Sequence, residues 1–318
     1  MMTPVSTANS YSSILATIMN QQTAEQTDQL QYTTGKIGDD LTAYSGVVDQ
    51  VTAANTLQSQ TNAFVQNNTS LADRLTMQDQ TLSQVSTVIG NARQAVAEAV
   101  ATGDATTLST SLQSQLSQAI AALNTQYNGQ YLFAGGETST APVSTSTSLS
   151  GLTATGAVAA AFQNGNSPQQ DRIDATTRIT TGFTASSVGT NLFNALSQVE
   201  SYLQTQQAAN GGQPITTLTA AQSTALTNML SSFDSANTAV TNQVAQNGLV
   251  QDQVSSTQTS LTAQQTALTN TLGDLTQVDQ AKAATNLQLA QTALQASAQV
   301  FATLNNTSLL NVLSASTS

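Results

Sequence analysis

Residues 71–100 read LADRLTMQDQTLSQVSTVIGNARQAVAEAV, and apolar side chains recur there every seven positions. One repeating position holds Leu75, Leu82, Ile89 and Val96, and the other holds Leu71, Gln78, Val85, Ala92 and Ala99. Two mainly apolar positions per heptad are typical of a helix that packs in a coiled coil. The segment therefore predicts one long helix with a coiled-coil seam.

The residues after this helix predict a second one. The long helix is expected to stop near Gly103, and Asp104 is placed to cap the next helix. In that helix, apolar residues step by four, three and four positions, at Leu112, Leu116, Ala119 and Leu123. We expect the two helices to form an antiparallel or staggered pair.

The C-terminal arm carries a second heptad pattern. Its apolar positions are Val240, Val254, Leu261, Leu268 and Leu275, and its neighbouring seam position holds Gln251, Gln258 and Gln265. One interpretation is that these glutamines are buried and pair across helices, which would fix the register at some cost in stability. The other is that a glutamine-rich chain places Gln everywhere.

Glycine marks the middle of the chain, because ten of the 17 glycines lie between Gly129 and Gly212. Residues 130–184 contain β-branched stretches such as ATTRITT (175–181), which predict short strands and turns. Helical spacing returns at Asn191–Leu203 and again from about Leu218. The predicted fold is mainly α: elongated N- and C-terminal helices form an α-helical coiled-coil bundle, with a small β-rich insert in the middle.

The composition excludes several classes of function. The 318 residues include no His, Cys or Trp, which removes the usual nucleophile pairs and the nitrogen and sulfur metal ligands. Six basic residues against 17 acidic ones give a net charge of -11, which disfavours nucleic acid and anionic membranes as partners. We expect no enzyme activity, and we predict no catalytic, cofactor-binding or metal-binding residues.

Only 7% of residues are charged, where a globular domain carries about 25%. Neutral polar surfaces repel one another weakly, so this composition favours packing against copies or related subunits. A secreted protein from a low-charge surface environment is the alternative explanation. Residues 1–20 show no signal-peptide pattern, and no apolar run approaches the roughly 20 residues of a membrane-spanning helix.

Short motifs that could bind ligands fail on their spacing. Thr34-Gly35-Lys36 lacks the earlier glycine of a phosphate-binding loop, since residue 30 is Leu. The carboxylate pairs do not have the spacing of a calcium loop, and we interpret them as solvated surface acids. These pairs are Asp39/Asp40, Asp171/Asp174 and Asp274/Asp279.

Residues 128–135 read NGQYLFAG, which resembles the helix-exit motif of the bacterial flagellin superfamily, particularly its hook-filament junction proteins. Residues 274–313 resemble the terminal helix of that superfamily. Residues 29–36, QLQYTTGK, are similar to its N-terminal helix end, and Arg93 stands at its characteristic arginine. The motif residues are Arg93, Asn128, Gly129, Tyr131, Leu132, Phe133 and Gly135.

Two departures refine the resemblance. After Lys36 the superfamily usually has Arg, whereas Ile37-Gly38-Asp39-Asp40-Leu41 follows here, so a shorter or differently shaped loop is expected. The ending FATLNNTSLL (301–310) lacks the proline and glutamine of filament flagellins and is similar to junction-protein endings.

The resemblance implies a structural subunit of the flagellum that joins hook to filament. Its terminal regions would pair as a coiled coil lining the inner tube. Its partners would be copies of itself, a second hook-associated protein, flagellin and a cytoplasmic export chaperone. It would lie outside the cell after type III export without a cleavable signal peptide. A filament flagellin, or a flagellin-like secreted adhesive protein whose insert contacts a glycan or host surface, is the alternative.

The implied domains are 1–45 (N-terminal inner-tube helix), 46–128 (long helix and helical hairpin of the rod), 129–190 (β-rich insert), 191–271 (C-terminal part of the rod) and 272–318 (C-terminal inner-tube helix). The candidate subunit-packing residues are Ile14, Ile18 and Leu30 at one end and Leu289, Leu294, Val300, Phe301 and Leu304 at the other.

Overall fold

The computed structural model describes residues 4–315, and the side chains of residues 12–304. Its elements are α1 (Pro4–Thr34), a 3₁₀ helix (Leu41–Tyr44), α2 (Val48–Thr102), α3 (Leu108–Leu123), β1 (Gln126–Tyr127), β2 (Gln130–Tyr131), a 3₁₀ helix (Ser150–Thr153), α4 (Ala157–Ala160), β3 (Gln170–Arg172), β4 (Arg178–Thr180), α5 (Ala185–Ala209), α6 (Ala220–Thr276) and α7 (Gln280–Ala315). The predicted mainly α fold with small sheets in the middle is confirmed.

The chain divides into two compact units. One comprises Met1–Thr61 with Ala263–Ser318, and the other comprises Asn62–Thr262. The finer five-part division stays a prediction.

In the unit Asn62–Thr262, α2 and α6 pack side by side in antiparallel directions. Arg93 pairs with Asp234, and Gln258 donates to Thr69 Oγ1 at 3.0 Å. Between these two contacts α2 and α6 each advance 24 residues, in opposite directions. The predicted seam of α2 is buried at every position from Leu71 to Ala99, so the coiled-coil prediction for this helix is confirmed.

Gln251 and Gln258 of α6 bond across to α2, as the first of the two interpretations expects, but they are not fully buried. Gln251 Nε2 donates to the carbonyl of Leu75 at 3.2 Å, and Gln258 bonds to Thr69. Both side chains are half-buried and reach across to α2. Composition alone therefore does not account for them.

Helix α2 ends at Thr102, next to the predicted stop at Gly103. The expected cap of the next helix is wrong. Asp104 accepts from the backbone N–H of Thr106 at 2.8 Å, whereas α3 begins at Leu108 after Thr107, which makes no side-chain cap. Residues 103–105 are held by backbone pairing with residues 216–218, and this displaces the helix start.

Helix α3 has its closest backbone contacts with α5, and its expected pairing with α2 stays a prediction. Leu112, Leu116 and Leu123 are fully buried, as their spacing predicts. They join residues of α2, α5 and α6 in the largest core cluster. A packing partner so far along the chain leaves no local signal in the sequence.

The middle segment contains two short hairpins. Strands β1 and β2 are joined by Asn128 and Gly129, both with positive φ, in the two-residue turn that such hairpins favour. Strands β3 and β4 pair with Asp171 opposite Ile179. The predicted strand in 175–181 is therefore present over residues 178–180.

Helix α5 begins at Ala185, six residues before the predicted return at Asn191. Thr184 Oγ1 accepts from the Ser187 N–H, and Ser187 Oγ bonds back to the Thr184 backbone. This reciprocal cap starts the helix before its apolar periodicity becomes visible. The helix ends at Ala209, just before Asn210-Gly211-Gly212.

In the unit Met1–Thr61 with Ala263–Ser318, α1 packs against α7. The segment 274–313, expected to be one terminal helix, instead holds the end of α6, a break at 277–279 and most of α7. Asp279 causes the restart, because its carboxylate accepts from the N–H groups of Ala281 and Lys282 at 2.9 and 3.1 Å.

Candidate subunit-packing site

The two terminal helices, α1 and α7, form the candidate site. The end of α1 adjoins the start of α7, because the Val278 N–H donates to Gly35 O and the Ile37 N–H donates to Thr276 O, each at 2.9 Å. Since the helices also contact each other along their length, they run antiparallel. Gly35 has a φ of +68°, the left-handed conformation that ends α1 and that glycine adopts readily.

The face of α1 that meets α7 is mostly polar. Its half-buried residues step by four or three positions, at Ile14, Ile18, Gln21, Glu25, Asp28 and Gln31. The matching face of α7 is Ala283, Leu287, Ala290, Leu294, Ser297 and Phe301. Only two of these six α1 positions are apolar, so within the described side chains α1 contributes little hydrophobic area to the pairing.

Other faces of the two helices carry large apolar side chains in water. On α1 these are Leu15, Met19 and Leu30, and on α7 they are Leu289, Val300 and Leu304; Met19 is 59% and Leu289 63% exposed. Their spacings are four and eleven residues, which at 100° per residue place each trio within about 60° of arc. We call these two trios the outer stripes.

The predicted packing residues divide between the two kinds of face. Leu30, Leu289, Val300 and Leu304 lie in the outer stripes. Ile14, Ile18, Leu294 and Phe301 lie on the inner faces and are half-buried. A role for all eight in subunit packing stays a prediction.

Sequence reasoning missed Leu15 and Met19. The signal that could have found them is their spacing, because Leu15, Met19 and Leu30 repeat the four-and-eleven steps seen on α7. The junction-like ending was also part of the prediction, and its residues 305–310 lie outside the described side chains.

The loop after α1 holds a pocket of about 750 Å³ lined by residues from Thr34 to Gln58 and from Thr269 to Gln280. The Tyr44 hydroxyl donates to the Gly38 carbonyl at 2.6 Å, and Asp40 caps the 3₁₀ helix. Hydrogen bonds from the Thr42 hydroxyl and nearby backbone N–H groups hold the pKa of Asp40 below its ordinary value. Thr34-Gly35-Lys36, considered above as a possible phosphate-binding loop, lies at the C-terminal end of α1.

The carboxylates interpreted as solvated surface acids include several with structural partners. Asp40, Asp174 and Asp279 each accept backbone N–H groups two or three residues ahead. Asp171 pairs with Arg74. Asp40 and Asp279 are exposed, as that interpretation expects, while Asp171 and Asp174 are half-buried. The backbone bonds arise because turns and helix starts leave donors that a short carboxylate reaches.

The motif residues have structural roles in the unit Asn62–Thr262. Asn128 and Gly129 make the hairpin turn, Leu132 and Phe133 are buried in the core, and Tyr131 is half-buried. Gly135 has a φ of +62° and lies against the backbone of Ser167. Arg93 Nε donates to Asp234 Oδ1 at 2.7 Å, which ties α2 to α6.

In the described part of the chain, no helix combines the length and the apolarity needed to cross a membrane. The same residues contain no group of three or more acidic side chains arranged to hold a metal ion.

The fold resembles two solved structures. One is a putative flagellar hook-associated protein from Vibrio parahaemolyticus, with a TM-score of 0.57 and 16% identity over 72% of this chain and 96% of that one. The other is FlgL from Bacillus cereus, with a TM-score of 0.51 and 16% identity over 70% of this chain and 99% of that one. At such identities the likeness establishes the fold.

Sequence comparison supplies the family. No curated protein matches the sequence. The model of the bacterial flagellin N-terminal helical region matches residues 5–138, and that of the C-terminal helical region matches residues 230–313. The two matches together span more than half of the chain and contain both α1 and most of α7. The chain belongs to the bacterial flagellin family.

Proposed function

We propose that this protein is a structural subunit of the bacterial flagellum that joins the hook to the filament. The supporting observation is that its fold matches almost the whole length of two chains, one described as a flagellar hook-associated protein and the other as FlgL. Members of the flagellin family are structural proteins, which agrees with the expectation that the chain is not an enzyme.

The outer stripes suggest how the subunit assembles. Each places three large apolar side chains in water on a terminal helix. Burial against a neighbouring subunit would stabilise the assembly by about 25 cal/mol per Å² of apolar area, less the cost of ordering. Because each subunit presents a stripe on α1 and another on α7, it can contact neighbours through two surfaces and link unlike lattices.

The proposed partners are copies of this chain, a second hook-associated protein and flagellin. A cytoplasmic chaperone would cover α7 before assembly, since its stripe is otherwise open to unwanted contacts. The site of action would be the hook-filament junction outside the cell, reached by type III export without a cleavable signal peptide.

Deletion of the gene tests the proposal. Electron microscopy should show hooks without filaments, with flagellin released into the medium. Complementation with Leu289→Ser/Val300→Ser should leave the defect, whereas Gln288→Ser/Gln299→Ser, which alters exposed polar neighbours on the same helix, should restore filaments. Secreted levels of both variants must be equal, so that loss of export is not read as loss of assembly.

A filament flagellin is the second candidate, because flagellin sequence models match both ends of the chain. Purified flagellin would polymerise into long filaments, and such filaments from this protein alone would overturn the junction assignment. Normal swimming with intact filaments after deletion would instead favour a secreted surface-binding protein.

A further inference from the structure

Along the α2–α6 pair, two apolar clusters are separated by a short stretch in which the fully buried side chains are polar. On one side, Leu82 and Val240 belong to the large core cluster. On the other side, Leu75 and Val254 belong to a small cluster that also contains Leu71 and Ile173. The fully buried side chains that α2 and α6 place between the two clusters are polar: Gln78, Thr81 and Asn247.

Two of these side chains form an incompletely bonded amide layer. Asn247 Nδ2 donates to the Leu75 carbonyl at 2.9 Å, but its Oδ1 accepts no hydrogen bond from the described residues. Gln78 Nε2, on the facing helix and one turn from Leu75, likewise has no acceptor among them. Both side chains are 1% exposed, and a buried polar atom without a partner destabilises the closed state.

The second hairpin is fastened on the small-cluster side of this layer. Asn68 Nδ2 donates to the Ile173 carbonyl at 2.9 Å, and Arg74 pairs with Asp171. Ile173 is fully buried in the small cluster. The helix turns 66–75 and 250–258, together with residues 170–180, therefore form a segment whose apolar core is separate from the main one. We call it the distal segment.

We infer that the Gln78–Asn247 layer is a built-in breakpoint, at which the distal segment opens while the main core stays closed. Opening there exposes amides that gain hydrogen bonds to water, whereas opening within the main core would expose leucine and valine. Regions with few buried apolar contacts open locally at lower free energy than a continuous core. This inference concerns the single chain and does not depend on the proposed function.

Hydrogen–deuterium exchange of the full-length protein tests the breakpoint. Amides of 66–75 and 250–258 should exchange at least about tenfold faster than those of 85–96 and 233–240. The variant Gln78→Met/Asn247→Leu, which replaces both amides with apolar side chains of similar shape, should reduce that ratio to near one. Gln84→Met/Asn242→Leu, on exposed positions of the same helices, should leave it unchanged. Equal exchange in the natural protein, or an unchanged ratio in the first variant, would overturn the inference.

The variant Asn247→Asp, studied at neutral pH, should weaken the layer, whereas the variant Gln78→Met/Asn247→Leu should strengthen it. A buried carboxylate beside the Leu75 carbonyl disfavours closure, so exchange in the distal segment should accelerate by a further factor of about ten or more. The main core should keep its protection. If protection is lost equally throughout Asn62–Thr262, the layer is not a breakpoint.

Discussion

The side-chain amide of Asn68 on α2 donates to the backbone carbonyl of Ile173 at 2.9 Å, and both residues are fully buried. The bond joins residues 105 positions apart. It fixes the turn after β3 to the face of α2, while the Ile173 side chain enters the small core cluster beside Leu71 and Val254. The hairpin is thus held by a buried contact as well as by the partly buried Arg74–Asp171 pair.

Replacing Ile173 with Ala should therefore release the hairpin. Loss of a fully buried isoleucine typically lowers the free energy of unfolding by about 2–5 kcal/mol. Urea denaturation and limited proteolysis between residues 170 and 181 measure the effect. Ile179→Ala removes the same atoms from a half-buried position and should cost less. Equal losses in the two variants would argue against burial at residue 173 as the anchor.

The ion pairs Arg74–Asp171 and Arg93–Asp234 should differ in their contribution to stability. Arg74 and Asp171 are 16% and 30% exposed and share Thr181, whereas Arg93 and Asp234 are 43% and 58% exposed. Arg74→Ala leaves a half-buried carboxylate and should lower the free energy of unfolding by about 1–3 kcal/mol. Arg93→Ala should cost less than about 1 kcal/mol. Thermal melts of both variants compare them, and the reverse order would contradict the burial argument.

Gly135 and Gly90 should respond in opposite directions to Ala. A Cβ at residue 135 would lie 2.6 Å from the Ser167 carbonyl oxygen, at a φ of +62°. Gly135→Ala should thus destabilise by about 2–4 kcal/mol. Gly90 is exposed within α2, and no neighbouring atom of the described residues comes within 4 Å of the place its Cβ would occupy. Gly90→Ala should therefore stabilise by about 0.5–1 kcal/mol, and denaturant midpoints of the two variants give the answer.

Acid should weaken the turn of the second hairpin. Hydrogen bonds from the backbone N–H of Thr176 and from Thr177 hold the pKa of Asp174 below its ordinary value of 3.8. A group with a lowered folded pKa stabilises the fold above its unfolded pKa, and that contribution disappears as pH falls through the folded value. NMR titration of the Asp174 carboxyl should show the lowered pKa, and Asp174→Ala should remove the acid-sensitive part of hairpin protection. A pKa at or above 3.8 would contradict the assigned hydrogen bonds.

The coiled-coil seam of α2 could be predicted because its burial follows a local repeat. The heptad of α6 skips one position between Val240 and Val254, and the structure places the fully buried Asn247 there. A polar residue within an apolar repeat could equally have faced solvent. Whether Asn247 is buried depends on the facing helix, where the Leu75 carbonyl accepts the hydrogen bond from Asn247.

The candidate site was predictable only in part. Leu289 and Leu294 were both identified as apolar residues of a terminal helix, but one is exposed and the other faces α1. Which face points inward depends on the partner helix, and the inner face of α1 is mostly polar. The amphipathic signal of α1 was consequently too weak to reveal Leu15 and Met19.

The proposed function places this protein at the junction between hook and filament. Immunogold electron microscopy of intact flagella, with antibodies against the insert 129–190, tests it most directly. We expect label in one narrow zone at the outer end of each hook. Label along the whole filament, or away from the flagellum, would contradict it.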